Sequence, residues 1–292
     1  MDRETKIATT GIAAGLNPGN PIRHAAEEAF NRQAPVFDLL YGEDTIIRYK
    51  RERVRAHVNQ FLPPHASILE LNAGTGEDAV YFANRGHFVH ATDISEGMLE
   101  KLEDKVRMHQ LSSQVSREKC SYTELELLQQ QGPYDYIFSN FAGLNCTSDL
   151  GKVLDSFSWL LKPGGHATLV ILPRFCLWEF LLLFRGKWRT ALRRFSGHRG
   201  ARAHIEGEYF RCWYYNPSFV TKHLKGNFKL VALEGLCTLV PPSYIRHFPE
   251  KHPGIYRILK NLENKWKATW PWRNIGDYYV VTLQKHDEGD KL

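Results

Sequence analysis

Residues 68–79 read ILELNAGTGEDA, and their types and spacing suit a turn that holds a ligand. Gly74 and Gly76 stand one residue apart, after an apolar run that ends in Glu70 and just before Glu77 and Asp78. Glycine lets the backbone turn sharply and lets a ligand approach the main chain. Such a turn needs a strand before it and a helix after it. SILELN supplies the strand pattern and GEDAVYFANRG the helix pattern. A second strand, HFVHATDIS, ends in Asp93, 17 residues after Gly76. An acid at that place can accept hydrogen bonds from both hydroxyls of a ribose.

Charge separates the adenosine-type ligands. A dinucleotide would set its pyrophosphate at the helix N-terminus, where free N–H groups and the helix dipole favour an anion. Glu70, Glu77 and Asp78 would repel it there. They suit a ligand without phosphate that carries cationic centres, as S-adenosylmethionine does with its ammonium and sulfonium. Acids in the first turn of a helix are also ordinary dipole complements, so NAD stays open on charge alone.

The elements around this turn continue the same rhythm. SEGMLEKLEDKVRMHQL is a helix pattern with Ser95 as its cap, and VSREKCSY is a weaker strand. YDYIFSNFAGLN is a strong strand, DLGKVLDSFSWLL a helix and HATLVILP a strand after the turn LKPGG. Strand–helix alternation with short links predicts a doubly wound parallel sheet. Before it, 21–64 reads as a helical cap broken at Pro35. After Pro173 the rhythm is lost for about fifty residues, until FKLVALEGLCTLV, a helix around 254–268 and a closing strand GDYYVVTLQK. The expected organisation is a flexible N-terminus over 1–20 and one domain over 21–292, with 174–226 as an insertion.

Composition narrows the class. With 43% hydrophobic and 24% charged residues the chain is built to bury a core and is not a disordered segment. Its five cysteines are scattered, with no CxxC pair, which argues against a zinc site or a disulfide frame. MDRETKIATT has no apolar signal-peptide core, and no run of about 18 apolar residues is present. These features together predict a cytoplasmic protein. The net charge of +6 is uneven: 174–226 holds eleven Lys/Arg against Glu179, Glu206 and Glu208, so the rest of the chain sums to −2.

ELNAGTG, HATDIS followed by EGML, YDYIFSNFAGLN and LLKPGG occur in the order found in class I S-adenosylmethionine-dependent methyltransferases, and residues 65–173 resemble that family. The resemblance implies a Rossmann-like sheet of seven strands, six parallel and the last antiparallel, with helices on both faces. It implies S-adenosyl-L-methionine as cofactor. Glu70, Asn72, Ala73, Gly74 and Gly76 would line its methionine part. Asp93 would hold the ribose, with Ile94 and Met98 against the adenine. Asn140 and Phe141 would lie on the sulfonium side, and Tyr41 would reach the methionine carboxylate. Relatives usually place an acid after the third strand at the adenine edge; here Ser121 and Tyr122 stand there instead.

Methyl transfer from a sulfonium needs alignment and a dry site, and only an alcohol or phenol acceptor needs a base. SNFAGL lacks the proline pair of enzymes that methylate nucleobase amino groups. A small-molecule acceptor is therefore expected, hydrophobic or acidic and methylated on oxygen, and not a nucleic acid. His204 and Tyr214, from HIEGEYFRCWYY, are the candidate bases. FCLWEFLLLFRGKWRTALRRF, read as one helix with a greasy face and a cationic one, admits four readings: a solvated basic face over a structural insertion, a lid, a peripheral membrane contact or an RNA contact. An RNA or protein methyltransferase, or a binding module without turnover, remain the alternatives.

Overall fold

The computed structural model describes residues 21–205, 207–287 and 289, so the stretch expected to be a flexible N-terminus lies outside the described residues. Three helices open the described chain: α1 (Pro21–Gln33), α2 (Phe37–Tyr41) and α3 (Thr45–Val58). Pro35 falls in the 3-10 turn between the first two, where its missing N–H breaks no α-helical bond. Asp44 caps α3, its Oδ1 accepting from the Ile46 and Ile47 N–H groups at 2.8 Å each.

Next come β1 (Ser67–Leu71), α4 (Glu77–Ala83), β2 (Phe88–Asp93), α5 (Glu96–Met108), β3 (Val115–Lys119), β4 (Tyr134–Ser139), α6 (Leu150–Leu160) and β5 (Leu161–Ile171). Past the alternating region lie α7 (Leu177–Leu181), α8 (Trp188–Leu192), β6 (Ala201–Ile205), β7 (Glu208–Cys212), α9 (Pro217–His223), β8 (Phe228–Leu236), α10 (Phe248–Lys251), α11 (Pro253–Trp266) and β9 (Tyr278–Lys285). Seven strands make one sheet in the order β3-β2-β1-β4-β5-β9-β8. The pairs among β1 to β5 are parallel. β9 runs antiparallel to both its neighbours, β5 and β8. This is a Rossmann-like seven-stranded sheet with its last strand antiparallel, as expected.

The period of two in ILEL divides the core between the faces of the sheet. Ile68 packs with Val54, Phe82 and Leu102 from α3, α4 and α5. Leu69 and Leu71 pack with Leu154 and Phe157 from α6 on the opposite face. A strand covered on both faces reads as a near-continuous apolar run, which is why β1 and β4 stand out in the sequence. The strand order reverses beside β1, whose neighbours are β2 and β4, and a crevice opens at their carboxyl ends.

The insertion differs from the single amphipathic helix expected. α7 and α8 are five residues each, separated by a 3-10 turn and by Gly186 at φ +70°. Its supposed cationic face is partly interior. Arg194 is buried, its Nη2 2.7 Å from Glu179 Oε1 and 2.6 Å from Asp277 Oδ1. β6 and β7, absent from the sequence reading, form a separate hairpin. Phe210 of β7 packs on Ala26, Ala29 and Phe30 of α1, so the hairpin braces the N-terminal cap.

Candidate functional site

The crevice at the carboxyl ends of β1, β2 and β4 is a cavity. Eleven of the residues expected at a cofactor line it: Glu70, Asn72, Ala73, Gly74, Asp93, Ile94, Met98, Ser121, Tyr122, Asn140 and Phe141. They come from four strand ends and are joined by short bonds. Asp93 Oδ2 accepts from the Gly74 N–H at 2.9 Å, and its Oδ1 from the Ser95 N–H at 2.9 Å. The carboxylate thus ties the glycine turn to the start of α5. Asn72 Nδ2 donates to the Asn140 carbonyl at 2.9 Å, and Ser139 Oγ donates to Asn72 Oδ1 at 2.6 Å, which joins the ends of β1 and β4.

The loop after β4 is wound tightly. Phe141 and Ala142 have φ of +49° and +61°, a region that residues with a Cβ seldom enter. The Phe141 N–H bonds back to Asn140 Oδ1 at 2.8 Å, and the Ala142 N–H to the Val170 carbonyl at 3.1 Å. This backbone turns the Phe141 ring to the cavity wall. Strain of this kind collects at functional sites.

At the glycine turn, the backbone of Gly74 (φ +57°) faces open space: an added Cβ would meet no atom within 4 Å. That leaves room for a ligand against the main chain. Gly76 acts differently. It caps α4 at φ +80°, and an added Cβ would sit 2.6 Å from Leu102 Cγ. It does not line the cavity; it lets α4 pack on α5.

The three acids that separate phosphate from cation in the sequence are not equivalent. Asp78 pairs with Arg55 Nε at 2.6 Å and accepts from Asn140 Nδ2 at 2.8 Å. Glu77 pairs with Lys105 Nζ at 2.6 Å. Their charges are largely spent inside the protein. Glu70 is buried, and its Oε2 has no hydrogen-bond partner. Burial first, and then the Asp78 and Asp93 carboxylates, push its pKa well above the usual carboxylate range. The case for a cationic ligand therefore rests on Glu70.

Three other expected residues lie elsewhere. Tyr41 accepts from Gln33 Nε2 at 3.0 Å and lines a second cavity, between α2–α3 and residues 243–250. Phe37, whose ring packs on that of Tyr41, is the α2 residue at the first cavity. His204 is exposed on β6, its ring 4.5 Å from that of Tyr209. Tyr214 is buried beneath Arg194, and burial pushes its hydroxyl far up, away from any role as a base near neutrality. Neither His204 nor Tyr214 lines the cavity. The hairpin pairing turns His204 outward, and the ion-pair cluster covers Tyr214.

The sequence reading places a helical cap over 21–64 but names only Tyr41 in it as a site residue; the cap residues at the cavity are others. Ala26, Phe30 and Phe37 cover the cavity from α1 and α2, and Arg51 reaches it from α3. Asn31 fixes the cap, its Oδ1 accepting from Ser95 Oγ at 2.6 Å and from the Gly97 N–H at 3.0 Å. Thr75 Oγ1 adds a bond to Asp38 Oδ1 at 2.7 Å. No local motif marks these residues, because the contacts join segments more than thirty positions apart.

Lys50 was also missed. It is buried, with Nζ 5.6 Å from the Phe141 ring centroid and 4.8 Å from that of Tyr278. Among the described residues it makes no ion pair; its one hydrogen-bond contact is Ser243 Oγ at 3.5 Å. Burial acts to lower its pKa, but the surrounding groups, Tyr278 foremost and Asp277 and Asp44 among them, outweigh it and leave the pKa raised. Beside it, Arg51 lies 5.3 Å from the same Phe141 ring, with a buried Nε that has no partner.

The chain is similar to known methyltransferases in sequence and in fold. Residues 68–165 match a family profile described as a methyltransferase domain. Over 151 residues the chain is 32% identical to the demethylmenaquinone methyltransferase of Bacteroides fragilis, a match covering 50% of this chain and 58% of that protein. The chain thus spans little more than half the length of that relative. It is 23% identical over 240 residues to the tRNA 5-carboxymethoxyuridine methyltransferase of Escherichia coli K12, covering 79% of this chain and 84% of the other. The fold is shared with Burkholderia thailandensis 1,6-didemethyltoxoflavin-N1-methyltransferase, solved with 1,6-didemethyltoxoflavin and S-adenosylhomocysteine bound. The TM-score is 0.55 at 17% identity, over 94% of each chain.

Proposed function

We propose that the chain, whose residues 68–165 match a methyltransferase-domain profile, moves a methyl group from S-adenosylmethionine to an acidic small molecule, on oxygen. S-adenosyl-L-methionine, when bound, supplies a methyl group on a sulfonium, open to in-line attack. The cavity fits it on two counts: the unpartnered Glu70 Oε2 suits a cation, and the open backbone at Gly74 admits a ligand. Asp93 would hold the ribose hydroxyls. Ile94 and Met98 would flank the adenine, with Ser121 and Tyr122 at its edge. Glu70, Asn72, Ala73 and Gly74 would follow the methionine chain, and Asn140 and Phe141 the sulfonium side. Phe30, Phe37 and Phe141 would keep water out.

The observation that carries the acceptor class is the pair of cations at the Phe141 ring, which would border the methyl side: Arg51 in the cavity wall and Lys50 buried next to the same ring. A carboxylate or an ionised hydroxyl attacks without a general base, and a nearby cation holds it ionised. Lys50 and Arg51 would therefore select an acid. The test is S-adenosylhomocysteine release with a panel of carboxylic acids, phenols and their neutral esters or ethers. Lys50→Met should lower kcat/KM for the acidic acceptor by about 10²-fold, the order of a lost charge-assisted hydrogen bond, while the Kd for S-adenosylmethionine stays within about twofold. Turnover restricted to neutral acceptors, indifferent to Lys50→Met, would sink this reading. The second reading is an RNA acceptor, favoured by the 84% coverage of the tRNA enzyme. Turnover of bulk tRNA without any small acid would establish it instead.

Glu70 gives the cofactor a pH signature. Its pKa in the free protein is raised by burial, so the neutral form persists to higher pH than usual. A bound cation favours the carboxylate and lowers that pKa. Binding should therefore release up to about one proton per site, and affinity should strengthen as pH rises, until Glu70 is already ionised in the free protein. Calorimetry in buffers of different ionisation enthalpy reads the release directly. Equal heats in all buffers would remove Glu70 from the cation site.

A further inference from the structure

The stretch 180–195 presents large apolar side chains to solvent in a run where folding usually hides them. Leu181, Phe184, Trp188, Leu192 and Phe195 are 41%, 83%, 62%, 50% and 55% exposed. They recur every three or four residues through α7, α8 and the 3-10 turn that follows each helix. None of them lines either cavity described above. Arg185, Lys187 and Arg189 lie exposed between them; the stretch holds no acid, and Glu179 just before it is buried.

The segment is held rigidly from below. The Leu177 N–H bonds the Ile275 carbonyl at 2.9 Å, and Arg194 is locked between Glu179 and Asp277. The apolar side is thus aimed outward by a fixed base. We propose that this face seats the chain on an anionic lipid surface, with the apolar side chains entering the headgroup boundary and Arg185, Lys187 and Arg189 meeting lipid phosphates. The contact is peripheral, since no helix among the described residues is long and apolar enough to cross a membrane.

Charge and chemistry favour lipid over two other occupants. A second copy meeting this face about a twofold axis would bring the three cations against their own counterparts. RNA would use the cations and the aromatic rings, but Leu181 and Leu192 offer bases nothing to stack on. A bilayer interface satisfies the apolar groups and the cations together. The inference is independent of the acceptor's identity.

The test is co-sedimentation of the full chain with vesicles of phosphatidylcholine, with and without phosphatidylglycerol. Binding should rise at least about tenfold with the anionic lipid and fall with salt, as expected for an interfacial contact of mixed character. Phe184→Ser with Trp188→Ser should lose at least about tenfold in partitioning at unchanged Tm, since both side chains are solvent-exposed in the free protein. Should that pair misfold, Arg185→Glu with Lys187→Glu and Arg189→Glu asks the same question of the charge. Wild type and folded variants partitioning alike would overturn the proposal. So would a wild-type dimer by light scattering that the apolar variants dissociate, or retention of RNA that vesicles fail to displace.

Discussion

Asp93→Ala should raise the Kd for S-adenosylmethionine by about 10²–10⁴-fold, measured by calorimetry on protein whose Tm is checked in parallel. The carboxylate is buried at the end of β2, where the Gly74 and Ser95 N–H groups each bond one oxygen at 2.9 Å. Burial pushes its pKa up, against those backbone bonds, and further donors would favour its ionised form. Two ribose hydroxyls would supply them. Hydrogen bonds to a charged acceptor contribute about 1.5–3 kcal/mol each, and two of them span the stated range. Asp93→Asn separates charge from shape: it keeps the volume and should weaken binding less, by about 10–100-fold, as the charge assistance is lost. An unchanged Kd in folded Asp93→Ala would remove the ribose from this position.

Arg194→Met should lower the stability of the chain by about 3–5 kcal/mol, read as a shift of the urea midpoint at constant slope. The guanidinium is 2% exposed and bridges Glu179, 1% exposed, and Asp277, 8% exposed. Its Nη1 also donates to the Asp277 carbonyl at 2.9 Å. Cys176, Glu179 and Asp277 bring potential ligand atoms within 4.8 Å of one another; Arg194 bridges the two carboxylates, and Arg193 adds a second cation on Glu179. Removing it leaves the Asp277 carboxylate buried without its ion-pair partner, while Arg193 still pairs with Glu179 at 2.6 Å, and a buried charge left unpaired costs far more than the pair gains when intact. Because Glu179 begins the 177–195 stretch and Asp277 precedes β9, the loss should also free that stretch. Lipid partitioning should fall with stability in this variant, whereas Phe184→Ser with Trp188→Ser should lose partitioning alone. A midpoint within error of wild type would show that the cluster is solvated in solution.

Legibility followed the range of the interactions. The glycine turn, Asp93 and the strand patterns of β1 and β4 are local, and a buried parallel strand must be apolar along its whole length. Ser121 and Tyr122 were placed at the cavity by position after β3 alone, and the structure sets both in its wall. His204 and Tyr214 stand out in HIEGEYFRCWYY by residue type alone. There the β6–β7 pairing, which nothing in HIEGEYFR announces, turned one outward, and the Arg194 cluster buried the other.

By itself the sequence determined a doubly wound sheet, the crevice beside β1 and the acid-and-glycine frame of an adenosine site, because backbone geometry and strand burial set those residue types locally. The tertiary structure decided which charges are free. Arg55 and Lys105 neutralise Asp78 and Glu77, leaving Glu70 unpartnered; Glu179 and Asp277 draw Arg194 out of a segment that reads as a uniformly basic face. It also brought Lys50 against Phe141, ninety-one positions away. Charge acts through space, so its partners are fixed by packing between distant segments and not by spacing along the chain.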